Sequence, residues 1–204
     1  MLEAAGAYTP PSSNTPLPWS ADGLERSICF LLTAVQPVTR AMLTRRTPCA
    51  GWDLQMLLLH VGDSLAAVHE GLSAGRVGLR PIAVDPVRDP VSALRVRAVR
   101  VLRSARAAAG CPGRAAAIGD LRIPDGLVAG AGALEAAVHG WDVAQATGAR
   151  RPVPPGLALD LLDVAGTLVP PGGRRPLFEE PVEPAPQASP GERLVAFLGR
   201  RPPP

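Results

Sequence analysis

The chain has 204 residues, 47% of them hydrophobic, which suits one sizeable core and argues against a second large domain. A formal charge of +3, from 21 basic and 18 acidic residues, is too mild and too dispersed for a nucleic-acid-binding face. The three cysteines are an odd number without CxxC spacing, which argues against a disulfide framework or a zinc ribbon.

Residues 1–20 are rich in Pro, Ser and Thr and are expected to form a flexible arm. Met1 to Gly6 lack a basic segment followed by an apolar core, so no signal peptide is expected, and no apolar run is long enough for a membrane. A reducing cytoplasm is the expected compartment. Helical periodicity then begins, with Asp22 as N-cap and Leu24, Ile28, Leu31, Leu32 and Val35 recurring at threes and fours. Pro37 is expected to kink or split this helix. Thr47 to Asp53 read as a turn, with Asp53 capping a second helix that runs to about Gly71 and carries Leu57, His60, Val61, Ser64, Leu65 and Val68 on one face. His60, among leucines and valines, is expected to point inward.

A Gly- and Pro-punctuated connection over 74–90 leads to a third helix from about Pro90 to Ala109, stopped by Gly110-Cys111-Pro112-Gly113. Arg95, Arg97, Arg100, Arg103 and Arg106 mark its solvated side, with an anionic-substrate or thiol-carboxylate patch as the alternative. A short extended stretch ends at Pro124, and a fourth helix follows from about Leu127 to Thr147, terminated by Gly148. Beyond Arg150, short apolar helices at Leu157–Leu168 and Glu192–Leu198 alternate with prolines. The expected organisation is an all-α fold: an arm (1–20), a four-helix bundle (21–150) and a Pro-rich tail with short helices packed on it (151–204).

Only three histidines occur. Glu135 and His139, four apart on one helix, project from the same face, and His60 can join them from another helix. Two imidazoles and a carboxylate with an open position suit catalytic zinc or a similar divalent metal. A core-facing carboxylate also needs a partner to offset its desolvation. Asp142 is a candidate acceptor orienting an imidazole, or equally a surface acid or a partner for Arg150. His69, beside Glu70, reads as a surface residue. Cys49 precedes a helix N-terminus, where a thiol pKa falls, but Pro48 and Trp52 suggest a structural turn instead. Trp52 and Trp141 read as packing residues around the bundle mouth. Gly130-Ala131-Gly132 lacks the strand context of a dinucleotide motif.

Thr47-Pro48-Cys49, Gly51-Trp52 and Leu57-Leu58 with His60-Val61 form one motif. Ala133-Leu134-Glu135 with His139-Gly140-Trp141-Asp142, Ala144 and Ala146-Thr147-Gly148 form a second. Together they resemble the actinobacterial DinB-like metal-binding proteins of the mycothiol-dependent maleylpyruvate isomerase type, and the segment from Phe178 to Arg200 resembles the tail of their short members. The abundance of Ala, Gly and Pro, with Arg in place of every Lys, accords with a GC-rich actinobacterial genome. The resemblance implies a DinB-like four-helix bundle with a divalent metal, zinc first and nickel or another as alternatives, held at His60, Glu135 and His139. It also implies mycothiol or a similar thiol as cosubstrate, deprotonated by the metal for addition to a small electrophilic metabolite, with isomerisation or S-transfer as the outcome. The chain lacks room for that isomerase's additional C-terminal domain, so its substrate does not transfer, and a role in secondary metabolism is open. A thiol-independent metal-dependent hydrolase or cyclase, and a non-catalytic binding or resistance protein, are the competing readings. A small-molecule substrate, no nucleic acid, no membrane and a homodimer built on exposed apolar helix faces complete the expected partners.

Overall fold

The computed structural model describes residues 21–78, 89–111, 113–170, 172, 174 and 178–202. The expected arm and most of the 74–90 connection lie outside them. Four long helices make the framework: α1 (Ala21–Val35), α2 (Leu54–Ala74), α3 (Pro90–Ala109) and α4 (Asp125–Thr147). Helix α1 packs between α3 and α4, and α2 does the same on the opposite side, closing a four-membered ring around one core. Leu24, Ile28 and Leu31 of α1, Leu57, Leu58, Val61 and Leu65 of α2, and Leu94 and Ala98 of α3 are buried there. The apolar stripes at threes and fours thus face one another.

Helix α4 contributes small residues to this core, Ala133, Ala136, Ala137 and Ala144 among them, and so lies close to its neighbours. A Cβ on Gly140 would stand 3.1 Å from the Leu31 Cα and 3.0 Å from a Phe30 ring carbon. That intimacy fixes the depth of His139, one residue before.

Local chemistry sets the ends. Asp53 accepts from the Met56 N–H at 2.8 Å and caps α2, and Asp89 accepts from the Val91 and Ser92 N–H groups and caps α3. Helix α2 runs past Gly71 to Ala74 and closes on Gly75. Helix α1 starts one residue before Asp22, which therefore sits in the first turn, where its charge suits the helix N-terminus. Pro37 does not kink α1: the helix is over at Val35, because a proline disfavours helical geometry in the residue before it. A 3-10 turn (Arg40–Met42) leads on towards α2.

The expected extended stretch is a hairpin, β2 (Ala115–Ile118) and β3 (Leu121–Pro124), and β1 (Arg76–Val77) joins β2 in parallel. This small sheet rests on α2 and α4, where α2 ends and α4 begins. Helix α5 (Pro155–Leu168) packs on α4 and α1, and α6 (Pro190–Phe197), opened by a Ser189–Glu192 capping box, packs on α5.

On α3 the arginine row is largely exposed, with Arg106 paired to Glu25 at 2.9 Å and Arg97 to Asp63 at 3.1 Å. His69 is not a plain surface residue: it is half-buried, with its Nδ1 2.6 Å from the Ser104 hydroxyl across the α2–α3 contact. Among the described residues no helix is long and apolar enough to cross a membrane.

Candidate metal centre

His60 lies two turns into α2, on a helix start held by the Asp53 cap. Glu135 and His139 lie one turn apart on the face of α4 that meets α2. The structure brings all three together, with donor atoms within 4.8 Å of one another. Glu135 Oε2 is the focus: His60 Nε2 is 3.2 Å away, His139 Nε2 3.4 Å, and the Ser64 hydroxyl donates to the same oxygen at 3.2 Å. The two imidazole rings stand edge to face with centroids 5.1 Å apart, and Trp52 leans on His60 at 4.7 Å.

His139 is buried, whereas the side chains of His60 and Glu135 retain 39% and 32% of their exposure. His60 therefore points at an opening and not into the apolar core as expected. That opening is a cavity of about 1460 Å³ lined on the bundle side by Trp52, His60, Glu135, His139 and Trp141, and on the other side by residues of the tail, Phe178 to Glu183 and Leu198 to Arg201. Both tryptophans do line the mouth.

Behind His139 lies a second polar knot. Asp142 is fully buried, and its Oδ2 lies 2.9 Å from His139 Nδ1, 3.2 Å from the Cys49 thiol that donates to it, and 3.0 Å from Arg200 Nη2. The partner of Asp142 is thus Arg200, not Arg150. Cys49 sits in a turn pinned by Thr47, whose N–H and hydroxyl both donate to the Trp52 carbonyl, and its sulfur lies 3.9 Å from His139 Nδ1 and 3.5 Å from Arg200 Nη2. Cys49, His139 and Asp142 also lie within 4.8 Å of one another, but the Arg200 guanidinium already balances their charge.

The electrostatics follow from this crowding. Burial alone would raise the Glu135 carboxyl, yet the His139 charge and hydrogen bonds from His139 and His60 hold it well below the usual carboxylate range. Burial would lower the His139 imidazole, and the Glu135 charge with hydrogen bonds to Asp142, Cys49 and Glu135 raises it instead. Asp142, opposed by burial, is lowered by its hydrogen bond with His139 and the charge of Arg200.

Residues 24–144 match the family described as the mycothiol maleylpyruvate isomerase N-terminal domain. The chain belongs to this family. Two uncharacterized proteins of Mycobacterium tuberculosis, MT0763 of strain CDC 1551 / Oshkosh and Rv0738 of strain ATCC 25618 / H37Rv, are each similar to it. Both are 32% identical over 161 residues, covering 76% of this chain and 82% of the relative. No solved structure matches the chain at a significant level.

In this member of the mycothiol maleylpyruvate isomerase N-terminal-domain family, sequence reasoning missed three contributors. Ser64 was legible in principle, four residues after His60 on the same face. Cys49 was placed in its turn but not beside Asp142, and Arg200 was noted only as the end of the tail segment. The family match ends at residue 144, well before Arg200.

Proposed function

We propose that this protein is a metal-dependent enzyme that uses a low-molecular-weight thiol of the mycothiol type for S-transfer to, or isomerisation of, a small electrophilic metabolite. The observation that carries the reading is the convergence of the His60, Glu135 and His139 donor atoms within 4.8 Å in the wall of one large cavity. The donor set fits a divalent ion of the zinc type, because two imidazoles and one carboxylate leave a coordination position open. The geometry agrees, since a single Glu135 oxygen faces both imidazoles. His60, Glu135 and His139 would hold the ion, which when bound supplies the Lewis acidity that lets a thiol ionise at neutral pH.

The chain's own residues supply the surroundings. Ser64 steadies the Glu135 oxygen that the imidazoles share. Trp52, Leu134, Val138, Trp141 and Phe178 form an apolar wall that keeps water from one side of the reacting groups, and Glu180, Glu183 and Arg201 give the rim polar partners for a hydroxylated ligand.

Metal analysis of the purified protein and of its His60→Ala and Glu135→Ala variants tests the site: one equivalent is expected in the native chain and far less in each variant. Full retention in both would remove the three residues from consideration. Incubation with mycothiol and a panel of electrophiles, followed by mass spectrometry, tests the chemistry. Turnover without thiol would instead indicate a hydrolase or cyclase, and tight ligand binding indifferent to chelator a binding protein.

A further inference from the structure

The two nitrogens of His139 face different surroundings. Nε2 faces Glu135, and Nδ1 faces the buried Asp142. An acceptor seated on Nδ1 sets the rotation of the ring and with it the direction in which Nε2 points. The Asp142 carboxylate is that acceptor. Asp142 is 0% exposed, however, and a carboxylate buried there needs a cationic partner.

Arg200 is that cation. Its Nη2 donates to Oδ2 at 3.0 Å and its Nε to Oδ1 at 3.4 Å, a two-pronged pairing that a point charge does not reproduce. Apart from His139, it is the one cationic side chain hydrogen-bonded to Asp142 among the described residues. Its own placement is built in. The Arg200 N–H donates to the Val195 carbonyl at 2.9 Å, and its Nη1 donates to Leu198 O at 2.9 Å. Gly199 before it has φ +82° and leaves no room for a Cβ, which would fall 2.5 Å from that of Glu179. The tail thus delivers one guanidinium to one carboxylate on α4.

We propose that Arg200 is a positioning residue for the donor set: by gripping both carboxylate oxygens of Asp142 it fixes where that acceptor stands, and so holds the His139 ring through Nδ1 with Nε2 turned towards Glu135. This rests on the metal-site reading above and extends it beyond the family-matched segment, which ends at residue 144.

The test uses the full chain as native protein and as Arg200→Gln, Arg200→Lys, Asp142→Asn and Val101→Ala. Zinc affinity is measured by competition with a chromophoric chelator, and the His139 Nδ1–H signal is followed by nitrogen-edited NMR with and without zinc. Arg200→Gln and Asp142→Asn are expected to weaken zinc binding about 10- to 100-fold, with Arg200→Lys recovering part of the loss. The Nδ1–H signal should be present in native protein and lost or displaced in Arg200→Gln. Val101→Ala loosens the core on α3, which carries none of the site residues, so it should lower Tm and leave zinc affinity unchanged. Zinc affinity within about twofold of native in Arg200→Gln, or an equal loss in Val101→Ala, overturns the proposal. Should native protein take up no zinc, the metal reading fails separately, and an unshifted His139 Nδ1–H in metal-free Arg200→Gln overturns the positioning role.

Discussion

A single oxygen, Glu135 Oε2, receives His60, His139 and Ser64, and the contribution of each partner is separable. The Ser64 hydroxyl touches the carboxylate but offers nothing that would replace an imidazole. Ser64→Ala should therefore leave one metal equivalent bound but weaken its affinity about tenfold, the low end for a group that orients a ligand. Chelator competition reads this directly, and unaltered affinity would show that the hydroxyl is incidental. The residues were unequally legible in the sequence. Glu135 and His139 announced themselves through helical spacing, and His60 through its rarity among apolar neighbours. Asp142 was ambiguous because a buried acid and a surface acid look alike until the partner is known, and that partner lies 58 residues away.

At the level of elements, close packing and capping make opposite demands on similar residues. Alanine is favoured over glycine in a helix by about 1 kcal/mol. Gly166 on α5 has nothing within 4 Å of its missing Cβ, so Gly166→Ala should raise Tm by about 2–4 °C. Gly140→Ala carries the same propensity gain, but its Cβ meets the α1 backbone at 3.1 Å, and overpacking costs about 1–3 kcal/mol. Calorimetry should show Tm falling for Gly140→Ala, and a rise would mean that α1 and α4 separate freely. The caps give a pH signature. Hydrogen bonds from the Ser92 side chain and then its backbone N–H lower the Asp89 carboxyl, and the Ser189 hydroxyl and N–H do the same for Glu192. Carboxylates lowered on folding stabilise fully above their unfolded values, near pH 4. That contribution fades as pH falls through the lowered folded values, so Tm should drop from about pH 5 downwards. Asp89→Asn keeps a cap without the charge and should flatten that slope; an unchanged slope would exclude Asp89 from it. Helix positions were readable from periodicity and capping residues, and α3 lies where its pattern put it. The hairpin was only half readable, because Ala115 to Ile118 are strand by pairing and not by a strongly alternating pattern.

For the whole molecule, an ion held by α2 and α4 together, as proposed, would add a tie across the bundle that the unfolded chain lacks. Zinc at about 100 times its dissociation constant should stabilise the fold by about 2.7 kcal/mol, or about 5–10 °C in Tm for a chain of this size. Glu135→Ala should abolish the shift, and an equal shift in that variant would place the zinc elsewhere. Chain-level organisation was the least legible scale, since nothing in the proline-rich C-terminal stretch announces that it folds back over the mouth of the bundle. Yet Phe178 to Glu183 and Leu198 to Arg201 supply half of the enclosure. The three candidate donors and the wall facing them therefore lie on separate stretches of polypeptide. Substitution among the closing residues other than Arg200 would thus reshape the enclosure for a different guest and leave the helices that carry the histidines untouched.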